Sequence, residues 1–505
     1  MSLARVYSRA LAGIDALPVV VEVHLSAGLP SLSLVGLPET AVKESKDRVR
    51  SAILNSDFEF PAKRITINLS PADLPKEGGR YDLAIALGIL AASEQIPSTL
   101  LEDHEFIGEL TLGGKLQAVP GVLPCALAST KAKHSLVLPS ANAQEASLCS
   151  QGVFRSAESL LEVAGYLSGL SALPIVAALP TSHSNPHSHI DLSEVRGQPQ
   201  ARRALEIAAS GGHNLLFIGP PGTGKTMLAS RLPGILPPMS EDEALVSASI
   251  YSICKQKSDW QTQWRVRPFR NPHHTASGVA LVGGGGNPKP GEISLAHAGV
   301  LFLDELPEFS RKVLDVLREP LENGQIVISR ANRTLTFPAR FQLIAAMNPC
   351  PCGYFGDNSG RCRCTAEQIR RYQGQTSGPL LDRIDLHVEV PSIAPVILHQ
   401  TPASESSLVV QERVMRARTI QLTRQNCTNA ELGSKERERV CQLSSEDEQW
   451  FLSAIERLNL SARGFHRLLK IARTIADLDA QPAIQRKHLL EAMSYRALER
   501  YQPTL

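Results

Sequence analysis

The alternation of apolar and polar positions predicts a β-hairpin in "IVISRANRTLTFPAR", residues 326–340. Apolar side chains alternate with polar ones on both sides of a short turn, as the arms of a hairpin require. The alternating apolar residues are Ile326 and Ile328 on one arm and Leu335 and Phe337 on the other. The turn carries Arg330, Asn332 and Arg333. Whether such a tip binds a ligand or is simply solvated depends on the segments that flank it.

Three apolar runs around this hairpin predict the strands of a parallel sheet. The first lies in "NLLFIGPPGTGKTMLASRL" and is followed by a glycine-rich turn and a helix, the second in "GVLFLDELPE" and the third in "FQLIAAMNP". Repeated strand–helix units give an α/β fold, in which helices cover both faces of the sheet. Asn348 follows the third run, at the strand end where α/β proteins collect ligands.

The glycine-rich turn matches the phosphate-binding pattern G-x-x-x-x-G-K-[ST] in full. The matching residues are Gly219, Pro220, Pro221, Gly222, Thr223, Gly224, Lys225 and Thr226. Glycines let backbone N–H groups converge on phosphates, and the following helix offers its positive end. We therefore predict an ATP site in which Lys225 reaches the outer phosphates and Thr226 holds Mg²⁺.

Two acids after the second apolar run, Asp304 and Glu305, predict the rest of the hydrolytic set. Asp304 would complete the Mg²⁺ shell, and Glu305 would polarise the attacking water. The alternative is a core strand that ends in two solvated acids. The phosphate loop upstream makes that alternative weak.

A cluster of cysteines follows Asn348 in "NPCPCGYFGDNSGRCRC". Its members are Cys350, Cys352, Cys362 and Cys364. Thiolates favour tetrahedral zinc, so the cluster predicts a structural Zn²⁺ site, and four thiolates would leave no open position for catalysis. The usual spacing within a pair is C-x₂₋₄-C, so a redox pair or unmetallated thiols remain alternatives.

Charge and hydropathy narrow the functional classes. The formal net charge is +2, so any binding to nucleic acid must come from a local patch. The chain has no run of 18 apolar residues, and "MSLARVYSRALAGIDALPVVVEV" at the N-terminus has no small-residue cleavage pattern. We expect a cytoplasmic protein with no membrane partner.

The order of these motifs resembles that of AAA+ ATPases. The stretch "RPFRNPHHTASGVALVGGGGNPKPGEISLAHAGVLFLDELPEF" closely resembles the magnesium-chelatase-like family of bacterial ComM and YifB proteins, and the resemblance extends over nearly the whole chain. It implies a hexameric ring that binds ATP between neighbouring subunits. It further implies that Asn348 senses the γ-phosphate, that Arg383 reaches into the neighbour's site, and that Arg463 is the sensor arginine of a helical lid.

The same resemblance gives the hairpin a role. In helicase-like AAA+ proteins a hairpin just before the sensor strand points into the central channel, and "ISRANRT" resembles that element. Arg330 and Arg333 would then hold DNA phosphates, with Asn332 suited to the turn. Residues 265–286 resemble a second DNA-facing insertion, in which Arg270 is a candidate contact and four consecutive glycines predict a flexible loop. The alternative is a solvated hairpin with ordinary surface arginines.

The N-terminal region resembles the proteolytic domain of Lon in "SPADLPKEGGRYDLAIALGIL" and "FIGELTLGGKLQAVPGV". In Lon a serine nucleophile follows P-K-D-G-P, and a lysine base follows a G-G-L motif. Here Arg80 follows "PKEGG", and "PGVLPCA" contains no lysine. Because Ser–Lys chemistry needs both partners, we expect the Lon-like fold without protease activity.

These patterns divide the chain and leave three functional classes. A stretch without charged residues, 171–190, predicts a linker between a Lon-like α/β domain at 1–170 and an AAA+ core at 191–395. A helical lid would occupy 396–505, with a capping box at Ser445 and Glu448. The favoured class is a motor on single-stranded and branched DNA, which resemblance to ComM connects with natural transformation. The alternatives are a protein remodeller and a chelatase-type ATPase subunit, the latter disfavoured by the Lon-like domain.

Overall fold

The protein divides into two compact units. The computed structural model describes residues 3–178, 190–254, 264–285, 288–330, 333–357, 360–393, 402, 404–457 and 461–496. The first unit comprises residues 1–183 and 245–264, and the second comprises 184–244 and 265–505. Residues 245–264 therefore belong to the first unit, although the sequence assigns them to the ATPase core.

A mixed sheet forms the centre of the first unit. Its strands and an adjoining short pair are β1 (Leu3–Ala12), β2 (Asp15–Ser26), β3 (Ser31–Val35), β4 (Arg64–Ser70), β5 (His104–Phe106), β6 (Glu109–Leu110), β7 (Leu116–Gln117), β8 (Ser135–Pro139) and β9 (Phe154–Ala157). In the described residues the main sheet has the order β3-β4-β2-β1-β5-β8-β9. Strands β1, β2 and β4 pair antiparallel, whereas the outer neighbours pair parallel.

One helix of this unit is buried on every side. The helices are α1 (Thr40–Lys43), α2 (Ser45–Asn55), α3 (Asp82–Ala92), α4 (Val122–Ala132), α5 (Ala143–Ala146) and α6 (Leu160–Leu167). Every residue of α3 is buried, as expected of "DLAIALGILAA", which is apolar all round after its first residue. Arg80, at the position of the Lon nucleophile, is also buried and donates hydrogen bonds to the Pro120 carbonyl and, at 3.6 Å, to Cys125 Sγ.

The second unit contains the predicted parallel sheet, which confirms the α/β fold. Its strands are β10 (Leu215–Ile218), β11 (Phe269–Arg270), β12 (Gly283–Gly284), β13 (Lys289–Pro290), β14 (Val300–Leu303), β15 (Gln325–Arg330), β16 (Arg333–Pro338), β17 (Gln342–Met347) and β18 (Leu386–Glu389). Strands β11-β14-β17-β10-β18 form the sheet in that order, all parallel. All residues of β10, β14 and β17 are buried, as expected for strands covered on both faces.

The C-terminal region is helical, as predicted. The helices that begin after residue 198 are α7 (Pro199–Gly211), α8 (Lys225–Ile235), α9 (Glu241–Ile253), α10 (Gly278–Val282), α11 (Glu292–Leu295), α12 (Arg311–Asp315), α13 (Arg318–Asn323), α14 (Ala366–Gln373), α15 (Gly378–Leu381), α16 (Ser407–Gln425), α17 (Ser434–Val440), α18 (Ser445–Arg457), α19 (Ala462–Leu478) and α20 (Arg486–Ser494). Leu468, Ile471 and Ile475 of α19 share one apolar core with Phe217 of β10. No helix in the described part of the chain is both long and apolar enough to cross a membrane.

The cap predicted for α18 is wrong by one residue. Ser444, not Ser445, precedes the helix, and its Oγ accepts a hydrogen bond from the Asp447 N–H at 3.2 Å. The neighbouring serines are chemically equivalent caps, so the local sequence alone does not distinguish them.

The predicted hairpin is confirmed. Strands β15 and β16 pair antiparallel from Gln325↔Pro338 to Arg330↔Arg333. Ile326 and Phe337, which lie opposite each other, are both buried. Asn332 lies outside the described residues, as do the side chains of the two arginines.

The prediction of a flexible glycine loop is wrong for Gly283 and Gly284, which pair with Pro290 and Lys289 as β12 and β13. A Cβ at Gly283 would overlap the Lys289 carbonyl, and the residue has a φ of +99°. These glycines therefore permit a close approach of two backbones. Sequence reasoning took the same residues as a sign of flexibility.

Candidate nucleotide site and cysteine cluster

Parallel register brings the predicted phosphate loop and Asn348 to one edge of the sheet. Strands β10 and β17 are paired so that Ile218 lies opposite Met347. Gly219 and Asn348, the next residue on each strand, therefore leave the sheet side by side. Because β14 also pairs parallel with β17, Asp304 leaves at the same edge.

The ammonium group of Lys225 lies at the centre of this edge. Its Nζ donates to the carbonyls of Gly219 at 2.7 Å and Pro220 at 2.8 Å, and to Asn348 Oδ1 at 3.1 Å. Burial lowers the pKa of Lys225 to about 8, although the charges of Asp304 and Glu305 act in the opposite direction. A buried ammonium held by neutral oxygens gains from an anion, so the group is well placed to bind phosphate.

Three glycines shape the loop for different reasons. Gly222 and Gly224 have φ values of +77° and +87°, which side chains rarely adopt. A Cβ at Gly219 would overlap the Val390 carbonyl, so this glycine permits the loop to pass close to the strand beside it. Thr223 Oγ1 donates to the Pro220 carbonyl at 3.0 Å and closes the turn that contains Pro221.

A hydroxyl and a carboxylate lie together beside the loop. Thr226 Oγ1 donates to Asp304 Oδ2 at 2.6 Å. Hard oxygen ligands of this kind suit Mg²⁺, and the phosphate oxygens of a nucleotide would complete its coordination shell. The structure thus brings the two side chains together, and their role in holding Mg²⁺ stays a prediction.

A cavity of about 350 Å³ lies next to the loop. Its lining includes Val195, Gln198, Thr223, Met227 and Ile393. Apolar walls with a few polar groups suit a nucleobase and sugar attached to phosphates held by the loop. No sequence motif predicted this cavity, because its walls come from three separate stretches of chain.

Glu305 is contacted by a residue that sequence reasoning did not place there. Glu305 has a left-handed φ of +53°, and its carboxylate Oε2 lies 3.0 Å from Nδ1 of His274. His274 also lies against Phe309, with ring centroids 6.5 Å apart. A left-handed non-glycine residue is a sign of local strain, which is common at functional sites. The two residues are 31 positions apart, so no local pattern could reveal the contact.

Three predicted site arginines lie outside this group. Arg383 pairs with Glu322 and donates to the Pro379 carbonyl at 2.5 Å. Arg463 is exposed in the first turn of α19. Arg270 makes two hydrogen bonds to Glu292, at 2.6 and 2.7 Å, so its charge is compensated within the chain. Among the described residues, none of the three bonds to the phosphate loop or to Asp304.

The four cysteines come together as predicted. Their sulfur atoms all lie within 4.8 Å of one another, and Cys350 Sγ lies 3.3 Å from Cys352 and 3.8 Å from Cys362. A tetrahedron of Zn–S bonds places sulfurs about 3.8 Å apart, so the cluster has the size of a zinc site. Burial raises the pKa of Cys350, Cys362 and Cys364.

One thiol of the cluster is acidic. Burial acts to raise the pKa of Cys352, but hydrogen bonds, first from the backbone of Tyr354, lower it to about 6. A thiolate at neutral pH is the form that binds metal. The cluster is therefore compatible with Zn²⁺.

Comparison with known proteins decides the family. YifB of Escherichia coli is 54% identical over 501 residues, which cover 99% of this chain and 98% of that protein. Competence protein ComM of Haemophilus influenzae is 53% identical over 504 residues, with 99% and 98% covered. The chain belongs to the ComM/YifB family of magnesium-chelatase-like AAA+ proteins. Membership in this family implies ATPase activity.

Three family models match successive parts of this ComM/YifB family member. "Magnesium chelatase, subunit ChlI" matches residues 191–397, "Subunit ChlI of Mg-chelatase" matches 21–142, and "Magnesium chelatase, subunit ChlI C-terminal" matches 404–496. The magnesium-chelatase 38 kDa subunit of Rhodobacter capsulatus is 26% identical over 219 residues, 40% of this chain and 55% of that protein. From the sequence, the Lon-like first domain disfavours a chelatase subunit. The family model that matches 21–142 is itself named for a chelatase subunit, so its name does not support that exclusion.

The pKa of Lys225 predicts how nucleotide affinity depends on pH. Below a pH of about 8 the free protein carries a charged ammonium, and above it the group is neutral and must take up a proton to bind phosphate. We expect ATP to bind roughly tenfold more weakly at pH 9 than at pH 7, measured by titration with a fluorescent nucleotide. Lys225→Arg, whose guanidinium stays charged, should remove this dependence. A constant wild-type affinity across this range would contradict it.

The cysteine cluster predicts one zinc per chain by elemental analysis. Cys350→Ser together with Cys352→Ser should lose the metal and weaken assembly or ATP turnover, because the cluster lies between Asn348 and Arg383 in the chain. The buried thiol Cys125→Ser is a matched control that should retain the zinc. Metal-free wild-type protein that assembles normally would rule out structural zinc.

Proposed function

We propose that the protein is a ring-shaped, ATP-driven motor on single-stranded and branched DNA. The observation that carries the proposal is the position of the hairpin β15–β16 between two strands of the candidate ATP site. β14 leads into Asp304 and Glu305, and β17 leads into Asn348. The chain therefore links this edge to the hairpin on both sides, through α12 and α13 on one side and along β17 on the other.

Hydrogen bonds reinforce that path at the base of the hairpin. The Ala339 N–H donates to the Gly324 carbonyl at 2.8 Å, which joins the two arms. Beyond this point the Ala298 N–H donates to the Arg340 carbonyl at 2.6 Å, and the Gln342 N–H to the Gly299 carbonyl at 2.9 Å. These bonds tie the end of the hairpin to the segment that enters β14. The base is thereby joined to the sheet at the edge where β14 and β17 begin, opposite the edge of the phosphate loop.

The hairpin also packs on the second predicted insertion. A Cβ at Gly283 would lie 3.1 Å from Cδ1 of Ile328, so β12 and β15 are in close contact. Gly283 follows α10, and the segment before that helix carries His274, which contacts Glu305. The two elements proposed to face DNA are therefore both connected to the hydrolytic carboxylates.

The name of one relative supports a role in natural transformation. ComM of Haemophilus influenzae is named a competence protein. We propose that this protein likewise promotes the integration of incoming single-stranded DNA during natural transformation, by moving a DNA branch point. A protein remodeller is the rival function, since the same ring and ATP site can pull a polypeptide. The match to the 38 kDa chelatase subunit covers only 40% of this chain, so chelatase activity is less well supported than a DNA motor.

Removing the arginines at the hairpin tip tests the DNA proposal. Arg330→Ala with Arg333→Ala should leave folding, assembly and basal ATP turnover nearly unchanged, because the base of the hairpin is intact. DNA-stimulated turnover and strand displacement should collapse, and the salt slope of DNA binding should fall by about one unit for each lost phosphate contact. Arg439→Ala with Arg457→Ala, which removes two exposed lid arginines, is the matched control.

Strand displacement and ATP turnover are measured on the same preparation of each variant. Full strand displacement by the hairpin variant would show that its tip does not hold DNA. Loss of basal turnover together with displacement would instead point to a structural defect. A motor that turns over ATP at the wild-type rate without moving DNA is the outcome that the proposal requires.

Arg383 is proposed to complete the neighbour's ATP site. Arg383→Ala should therefore abolish hydrolysis while nucleotide binding survives, because a finger of this kind contributes about 10³-fold or more to turnover. Lys225→Ala subunits cannot use their own site but still offer an intact Arg383. Mixed with Arg383→Ala subunits, they should restore turnover. Mixtures that stay as inactive as their components would contradict the assignment.

A further inference from the structure

The loop that carries Arg383 is held by an arginine from α19. Arg467 Nη1 donates to the carbonyls of Leu381 at 3.4 Å and Ile384 at 3.2 Å. Its Nη2 donates to Asp382 Oδ1 at 3.0 Å. The three acceptors belong to the two residues before Arg383 and the one after it, so one side chain holds the loop on both sides of that residue.

The side chain of Arg467 is largely buried and is not an ordinary surface charge. Only 11% of its side chain is exposed. Its remaining nitrogen, Nε, lies 3.5 Å from the Arg463 carbonyl of the same helix, so every nitrogen of the guanidinium has an acceptor. A planar fork with donors at fixed angles suits such a set, and a lysine ammonium cannot reproduce it.

Other polar contacts complete the support of this loop. Asn214, which directly precedes β10, donates from Nδ2 to the Arg383 carbonyl at 2.8 Å. Asp385 lies 3.1 Å from Nδ1 of His213, and Nε2 of the same ring lies 2.8 Å from the Thr474 hydroxyl of α19. The loop is therefore joined to the strand that enters the phosphate loop and, at two points about two turns apart, to α19.

We propose that Arg467 is a positioning residue that aims Arg383 at the neighbouring subunit's ATP site. The inference rests on the proposed role of Arg383 and adds the element that directs it. Arg463, the proposed lid sensor, lies four residues before Arg467 and hence on the same face of α19. A shift of α19 when one site changes its nucleotide is thereby passed to the arginine that serves the next site.

The expected effect of Arg467→Ala follows from the lost bonds. The variant should bind nucleotide normally, since Arg467 contacts no part of the phosphate loop among the described residues. Its ATP turnover should fall about 10- to 100-fold, the size of effect that a misplacement of about 1 Å produces. This loss is smaller than that expected for Arg383→Ala, because the guanidinium is still present but poorly aimed.

Mixed rings distinguish this role from a defect in the mutant's own site. An Arg467→Ala subunit has an intact phosphate loop and a misdirected Arg383, whereas a Lys225→Ala subunit has the reverse. Where a Lys225→Ala subunit supplies its Arg383 to the ATP site of an Arg467→Ala neighbour, that site is complete. Turnover should therefore rise when the two variants are mixed. If Arg467 acts in its own subunit's site, the mixtures stay as inactive as their components, and the proposal is overturned.

Two further proteins make the experiment decisive. Arg467→Lys keeps the charge and most of the packing, and should show the same rescue with a milder loss, which excludes misfolding as the cause. Arg439→Ala, an exposed arginine of the lid, should behave as wild type.

If the Arg467 mixtures do not recover turnover, a parallel mixture of Arg383→Ala with Lys225→Ala subunits shows which of the two assignments is wrong. If that mixture recovers and the Arg467 mixtures do not, Arg467 is not a positioning residue. If neither recovers, the role of Arg383 itself is wrong and the present inference falls with it. The DNA-motor proposal is tested separately through the hairpin variant and would survive either result.

Discussion

Parallel pairing of β10 with β17 is the constraint on which the candidate site depends. It sets Ile218 against Met347, so that the phosphate loop and Asn348 emerge together and Lys225 can bond to both. A slip of one residue would turn the side chains of either strand to the opposite face of the sheet. Because all residues of these strands are buried, a slip would have to repack the side chains on both faces of the sheet.

Two candidate outputs are bonded to the opposite edge of the same sheet, where its parallel strands begin. One is the hairpin, whose base is bonded to the residues that enter β14. The other is the Arg383 loop, which is bonded to Asn214 before β10 and to Arg467 of the lid helix. Hydrogen bonds hold both elements in place, and bonds of this kind define geometry more sharply than apolar packing does. Under the proposed function, a nucleotide-dependent change at one edge of the sheet is carried through its strands to both outputs.

The sequence predicted those parts whose signal is local. The phosphate loop, the buried strands and the hairpin arms follow from periodicity and turn residues within a few positions, and each is found where it was expected. The contacts of Glu305 with His274 and of Arg467 with the Arg383 loop join residues that are far apart in the chain, so no local pattern reveals them. Gly283 and Gly284 show a different limit, since a glycine run is typical both of a loop and of two backbones in close contact.

The most direct test of a DNA motor is branch migration of a labelled three-stranded DNA by the purified wild-type protein, followed in real time while ATP turnover is recorded. The account predicts displacement that requires ATP, stops with a non-hydrolysable analogue, and is accompanied by DNA-stimulated turnover. Steady ATP turnover that DNA does not change, with the labelled strand left in place, would contradict it.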